Sequence, residues 1–435
     1  MSTASLPRYT APPDFNRTPT YTAEPQAQER RLAHTLVYQR QRPTAEFVKQ
    51  DKKGIVSLRL LDQIDGAAIP VYGVRGPVEG VVELAKVDGI SSVTVRVEGA
   101  LKLKEVAEGG TTTTMLCNET ITLWRKGVDP SPCPSSFNFS VVLPTDFTDE
   151  KDTYPLPASY EAHLSGLPGF QANVDYAVVA SVSKTKMSAL GLGQSVVSTP
   201  FVYYPRTCPS TPLPPPMLEF NSVPGLREAP EWKAYESTIA TRTPGGKDIQ
   251  CKFYIPKSHV FCMSERIPFH IAFVSSAVTL ASLLPFLPAS GQAPGRSSTR
   301  IQVLRQTSVD VKNDYVTSGT NTELWRVFNI GEGVLKRTVD GPRWLCFSGE
   351  ITIKPEYTVG GFKAGGLWVK DCIVFSITPP DTLKGPIGDL RQVIPLRLVT
   401  DPWTSEAYAP RVSPPGSDEL VAGAPSFHYD DSHAR

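Results

Sequence analysis

The sequence lacks an excess of charge of either sign. Its 435 residues include 44 Lys and Arg against 43 Asp and Glu, which gives a formal net charge of +1 at pH 7. Proteins that bind nucleic acid usually carry a surplus of basic residues, because they release counterions from a polyanion. The balance therefore argues against nucleic acid as the main partner.

Cysteine pairs and long apolar runs are missing as well. The seven cysteines are an odd number without C-x-x-C spacing, so neither a disulfide framework nor a zinc site is predicted. The N-terminus has no apolar stretch typical of a secretory signal, and the longest apolar stretch, residues 278–287, is too short to cross a membrane. We expect a cytoplasmic protein with reduced thiols and no transmembrane segment.

The sequence also contains few signs of catalysis. There is no G-x-S-x-G elbow, no H-E-x-x-H helix and no P-loop. The stretch from Gly191 to Val196 begins like a dinucleotide-binding fingerprint, but Val196 occupies the third small position and a strand-like run follows it. The six histidines are widely dispersed, whereas a metal site needs converging ligands. We predict no enzyme activity, no catalytic residues, no cofactor and no metal.

What the sequence has instead is period-two alternation of apolar and polar residues. Phe137, Phe139 and Val141 share one face of a run that ends at Pro144. A second run, residues 173–183, alternates in the same way, and the connection between the two runs is rich in Pro and Gly. Such runs predict strands with one buried face, which need a second sheet to cover them. Similar runs continue to about residue 400, so we predict an all-β protein of two tandem antiparallel Ig-like β-sandwiches.

Proline placement suggests the domain boundaries, because the 41 prolines cluster in the tails and in one central segment. We expect a short helix around Trp232 to Ser237 in that segment. Its P-x-x-P spacing at residues 209–215 would suit an SH3-like groove, although a semi-rigid spacer explains the same prolines. The predicted parts are a disordered tail (1–45), a first sandwich (46–205), a Pro-rich linker (206–245), a second sandwich (246–400) and a flexible tail (401–435).

The order of these elements resembles the arrestin-like (α-arrestin) family. The resemblance rests on residues 54–58 with 78–84, on residues 90–99, and on the F-x-F-x-x-x-L-P, L-P-x-S-Y and V-x-Y-x-V-x-A-x-V stretches between residues 137 and 182. Residues 251–257, 264–267 and 394–398 fit the second arrestin sandwich more loosely. The resemblance covers roughly residues 50 to 400.

This resemblance implies two arrestin sandwiches in tandem and an adaptor role. Such an adaptor binds cytoplasmic segments of membrane proteins at the plasma membrane or endosomes and links them to endocytosis, protein transport or ubiquitination. Many members recruit ubiquitin ligases through P-P-x-Y motifs, but here residues 12–15 read P-P-D-F and residues 157–160 read P-A-S-Y. The alternative is a structural sorting-coat subunit, since arrestin-like sandwiches also resemble retromer-type components.

Basic residues near strand ends are the candidate binding residues. Lys52 and Lys53 precede the first predicted strand, and Lys184 and Lys186 follow the strand that ends near Ser183. At one edge of a sandwich, these four lysines could bind phosphorylated or acidic peptides through charge-assisted hydrogen bonds. Ordinary solvated turns explain the same residues. Exposed edge strands offer a second binding mode, because they can pair with a peptide through main-chain hydrogen bonds.

Overall fold

The computed structural model describes residues 28–32, 45–63, 68–106, 110–149, 152–166, 169–184, 194–217, 226, 228–288, 298–311, 322–381 and 385–404. Nearly all of their regular structure is β-strand, so the predicted all-β sandwich class is confirmed. The tandem arrangement remains a prediction. Below, the N-terminal half means residues up to Pro209 and the C-terminal half means residues from Trp232 onward.

The N-terminal half contains two sheets, antiparallel except for the parallel pairing of β4 with β13, and the sheets share one buried cluster, here called the first core. One sheet has the strand order β2-β3-β5-β8, and the other has the order β4-β13-β12-β6-β7, with β11 added on β12. Alternate residues such as Val82, Val95 and Val178 are fully buried in this cluster. The strands are β1 Glu29–Arg31, β2 Ala45–Gln50, β3 Val56–Gln63, β4 Val71–Tyr72, β5 Pro77–Leu84, β6 Ile90–Glu105, β7 Thr111–Arg125, β8 Ser136–Val142, β9 Asp146–Thr148, β10 Thr153–Pro155, β11 Tyr160–Leu164, β12 Phe170–Lys184, β13 Gln194–Tyr203 and β14 Thr207–Pro209.

The C-terminal half forms a curled ten-stranded sheet around a second core. Its order is β15-β16-β18-β21-β20-β19-β23-β24-β17, with β22 added on β23. Stacked rings of Phe253, Phe269 and Phe375 lie in this core. The elements are β15 Trp232–Ile239, β16 Ile249–Pro256, β17 Val260–Cys262, β18 Ile267–Val274, α1 Ala277–Leu283, a 3-10 turn Leu284–Phe286, β19 Thr299–Val311, β20 Thr322–Gly341, β21 Trp344–Ile353, β22 Phe362–Ala364, β23 Leu367–Ile377 and β24 Leu390–Val399.

The helix expected around Trp232 to Ser237 is wrong, because this segment is strand β15. All eight of its residues pair with β16, from Trp232 opposite Pro256 to Ile239 opposite Ile249. The short local pattern fits either structure, and the cross-strand pairing decides it. The segment predicted as linker thus provides an edge strand of the C-terminal sheet.

One face of the β19–β23 ladder extends from the second core into the first. Val303 lies opposite Ile373 in the second core, and Val309 lies opposite Leu367 in the first. Between these two apolar pairs, Arg305 lies opposite Asp371. The ladder therefore joins the two cores through a buried ion pair.

Candidate functional site

The junction between the two halves contains a cavity of about 80 Å³ that is lined from both sides. The N-terminal half contributes Leu156, Tyr203 and Pro205 to its wall, and the C-terminal half contributes Phe362 and Leu398. Its walls are mostly apolar with a few charged groups, but its volume is well below the roughly 300–1,000 Å³ of a small-molecule site. The charged residues that line the cavity come from three strands: Glu29 and Arg31 from β1, Lys363 from β22 and Arg397 from β24.

Strand β1 bridges the junction by pairing with β14. Glu29 lies opposite Pro209 and Arg31 opposite Thr207 in an antiparallel register. The main-chain amide of Leu32 donates to the carbonyl of Arg206 at 2.9 Å, and the amide of Ser210 donates to the carbonyl of Gln28 at 2.9 Å. A three-residue strand therefore lies inside the stretch predicted as a disordered tail.

The side chains of β1 form ion pairs with both halves. Arg397 on β24 donates from Nη2 to Glu29 Oε1 at 2.8 Å, and the Glu29 side chain is almost fully buried. Arg31 Nη1 lies 3.4 Å from Asp146 Oδ1 on β9. Residues two apart on a strand point to the same side, so both side chains project into the junction. These two pairs attach β1 to the C-terminal and the N-terminal half at once.

Strand β14 is itself attached to the end of the C-terminal sheet. Arg206 Nε donates to both carboxylate oxygens of Asp401, at 3.1 and 3.0 Å. The amide of Thr207 donates to Thr400 Oγ1 at 2.9 Å, and the amide of Asp401 donates back to the carbonyl of Thr207 at 2.9 Å. Charge-assisted, two-pronged Arg–carboxylate contacts hold a fixed geometry. The surface that receives β1 is therefore held in place independently of β1.

Deeper in the junction, Tyr160 connects the halves. Its hydroxyl lies 3.2 Å from Thr307 Oγ1 on β19, and its ring meets Phe362 edge to face with the ring centroids 5.2 Å apart. Burial raises the pKa of the Tyr160 phenol, and the positive charge of Arg305 opposes this rise. The phenol therefore stays protonated at neutral pH and is available for the hydrogen bond with Thr307.

Buried thiols in this fold are poor nucleophiles. Burial raises the pKa of Cys117 to about 12, with smaller contributions from the charges of Glu119 and Glu98. Burial likewise raises the pKa of Cys372 to about 12. The thiolate is the reactive form of cysteine, and at these pKa values it is scarcely populated at neutral pH. Among the described residues, no three or more His, Cys, Asp and Glu side chains come together as a metal site would require.

Two of the four predicted lysines lie on an exposed turn. Lys52 and Lys53 are solvent-exposed in the hairpin between β2 and β3, and Lys184 is half-buried at the end of β12. Lys186 lies outside the described residues. Lys184 pairs with Ile90, at the start of β6, whereas the junction lies near the opposite end of β6, where Leu103 approaches Gly366. The cationic edge proposed for these lysines stays a prediction.

The Pro-rich segment packs partly against the C-terminal sheet. Trp232 Nε1 donates to the carbonyl of Pro215 at 3.1 Å, and the amide of Met217 donates to His270 Nε2 at 3.2 Å. Pro209 is buried, while Pro212 and Pro215 remain exposed. Only the second of the two P-x-x-P pairs is thus accessible.

Strand β7 forms a long open edge. Within the described part of the chain, all of its fifteen residues except Leu116 and Leu123 pair with β6, and no other strand pairs with it. Met115, which is 54% exposed, lies on this edge among threonines. An open strand edge can receive an additional strand through main-chain hydrogen bonds.

No protein-family model matches the sequence, and no curated protein matches it either. None of the helices in the described ranges is both long and apolar enough to span a membrane. The arrestin-like resemblance therefore rests on the order of sequence elements that carried it.

Sequence reasoning missed the residues that build the junction. Glu29 and Arg397 are 368 positions apart, and Arg206 and Asp401 are 195 apart. Nothing in the local pattern of either residue indicates its partner. A weak signal existed in Glu29-Arg30-Arg31, a charged triplet within a stretch otherwise rich in Pro, Thr and Gln.

Proposed function

We propose that the protein is a non-enzymatic, intracellular arrestin-like adaptor made of two tandem sandwiches. It binds extended cytoplasmic segments of membrane proteins and connects them to endocytosis, protein transport or ubiquitination machinery. The observation that supports this function best is the open edge of β7, because strand addition at such an edge binds a peptide without any catalytic group.

Four further features agree with a binding role. The buried cysteines described above are poor nucleophiles, and the cavity at the junction is small. Met115 provides an exposed apolar side chain at the edge, and its flexible thioether adapts to different partners. The exposed pair Pro212 and Pro215 offers a second contact point for a partner that recognises polyproline.

Proximity labelling in cells tests the proposal, using the full chain fused to a labelling enzyme. We expect enrichment of membrane proteins and of trafficking or ubiquitin-ligase components. A double change, Met115→Lys with Thr120→Lys, adds two charges to the edge and is expected to lower the enrichment of membrane proteins, because edge lysines oppose strand pairing. The matched control is Val278→Lys on α1, where the native side chain is 61% exposed.

Two results would contradict the proposal. One is labelling by the unmodified chain that shows no enrichment of membrane proteins. The other is stable co-purification with fixed partners in constant stoichiometry, which would assign the chain to a sorting coat instead.

A further inference from the structure

The groove at the junction contains strand β1, which belongs neither to the two sheets of the N-terminal half nor to the sheet of the C-terminal half. Strand β1 pairs with β14 alone, and within the described residues it has no other strand partner. We propose that this groove is a strand-acceptor site for extended segments with an acidic residue followed two positions later by a basic one. Strand β1 is its resident occupant, and a partner segment of the same pattern displaces it. This inference goes beyond the proposed function, because the groove is a second site, separate from the β7 edge, with a pattern of its own to select.

Main-chain geometry supports an exchangeable occupant. The hydrogen bonds from Leu32 to Arg206 and from Ser210 to Gln28 involve only backbone groups on the segment side and on β14. Any residue other than proline provides those groups, so the pairing itself does not depend on the sequence of the occupant. The acceptor strand is held by the contacts Arg206–Asp401 and Thr207–Thr400, in which β1 takes no part.

Two side-chain contacts provide the selection. Glu29 meets Arg397 of the C-terminal half, and Arg31 meets Asp146 of the N-terminal half. An occupant with these charges exchanged would place a base against Arg397 and an acid against Asp146. Like charges at close range in a partly buried site strongly disfavour binding. The groove therefore selects segments by both the order and the spacing of the two charges.

The spacing follows from the strand geometry. Arg30, between the two selected residues, lies opposite Cys208 and points away from the side shared by Glu29 and Arg31. The adjacent cavity of about 80 Å³, lined by both Glu29 and Arg31, leaves room for side chains other than the resident ones.

Peptide binding to the full chain tests the inference. The probe is a fluorescent synthetic peptide of residues 25–35, and its anisotropy reports binding. The variant Glu29→Arg repels Arg397 and should release β1, so we expect this chain to bind the peptide at least tenfold more tightly than the unmodified chain does. A second variant, Arg31→Glu, repels Asp146 and should behave in the same way. It keeps the test valid if the first variant fails to fold.

A matched peptide and a disulfide lock serve as controls. A peptide with Glu29 and Arg31 exchanged should bind the Glu29→Arg chain at least tenfold more weakly than the native peptide. The variant Arg30→Cys lies opposite Cys208 in a hydrogen-bonded pair, whose Cα atoms are about 5.5 Å apart, within the range of a disulfide. Oxidation of this variant should abolish peptide binding, and reduction should restore it.

Three outcomes would overturn the inference. They are equal binding of the two peptides, peptide binding that the disulfide does not affect, and conversion of a dimer into a monomer by Glu29→Arg in light scattering. The last result would show that the occupant comes from a second copy of the chain. Each of these leaves the role of the β7 edge intact, whereas failure of the membrane-protein labelling alone would remove the adaptor role and leave the groove standing.

Discussion

Arg305 and Asp371 face each other across the β19–β23 ladder at the boundary between the two hydrophobic cores. Arg305 donates from Nε to Asp371 Oδ1 at 2.8 Å and from Nη2 to Oδ2 at 2.9 Å, and both side chains are almost fully buried. Taking two charges out of water costs free energy that a well-formed pair only roughly offsets. The pair thus gives the junction little net stability, yet it makes each partner depend on the other.

Asp371→Ala should lower the free energy of unfolding by about 3–5 kcal/mol, because it leaves the Arg305 charge buried without its carboxylate. The double variant Arg305→Met with Asp371→Leu replaces the pair by apolar side chains and should recover most of this loss. Urea denaturation of both variants measures the difference. A double variant as unstable as Asp371→Ala would show that the ion pair itself stabilises the junction.

Stability should fall as the pH drops from about 6.5 to about 4, in part because of one buried and one half-buried histidine. Burial lowers the pKa of His270 from 6.5 to about 4, and burial together with the positive charge of Lys233 lowers that of His259 to about 4. In this window the unfolded chain binds protons that the folded chain does not, so acid favours unfolding. Above about pH 6.5 both histidines are neutral in the folded and in the unfolded chain, so they do not lower the stability there.

The variant His270→Gln isolates one part of that pH dependence. Glutamine retains hydrogen-bonding groups near Met217 and Ser348 but does not titrate. Chemical denaturation between pH 4 and 7 should show a shallower loss of stability for this variant than for the unmodified chain. Identical slopes would mean that His270 does not bind a proton on unfolding in this range.

Gly99→Ala should destabilise the first core. A Cβ atom at this position would lie 2.4 Å from the ring of Tyr176, which is buried and whose hydroxyl donates to the carbonyl of Pro157 at 2.6 Å. Because the ring is held at both ends, we expect a loss of about 1–3 kcal/mol in the free energy of unfolding, as for other overpacked sites. Thr113→Ala, on the exposed edge of β7, should change it by less than about 0.5 kcal/mol.

Trp232→Phe should release the Pro-rich segment from the C-terminal sheet. The change removes the hydrogen bond to the Pro215 carbonyl and keeps most of the aromatic packing against His270. The Met217 amide, which donates to His270, should then exchange with solvent deuterium at least tenfold faster. Tyr235→Phe on the same strand is the control and should leave this amide unchanged.

Strands with strict alternation were predictable from the sequence, whereas the junction was not. Val174, Tyr176 and Val178 point to one face because the side-chain period of a strand is two, and β12 buries them as predicted. His270 lies on the face opposite Phe269 and Ile271, where the Pro-rich segment covers it. That coverage depends on contacts between residues far apart in the chain, which local periodicity does not encode.

The polar residues of the β19–β23 ladder show the same limit. Arg305 and Thr307 interrupt the apolar series of Val303 and Val309, so the pattern alone suggests a solvated face. They are buried because Asp371 and Tyr160 supply partners from other strands. A sequence without its strand register does not reveal such pairings.

Site-specific crosslinking at the junction is the most direct test of whether segments of partner proteins enter the groove. A photoreactive phenylalanine analogue at Tyr204, which lines the cavity, would be irradiated in cells, with the same analogue at the exposed Val278 as control. If the groove binds such segments, we expect crosslinks from position 204 to cytoplasmic segments of membrane proteins that contain an acidic and a basic residue two positions apart. We expect none from position 278. Crosslinks from position 204 only to the chain itself, in cells where the membrane proteins are abundant, would contradict this expectation.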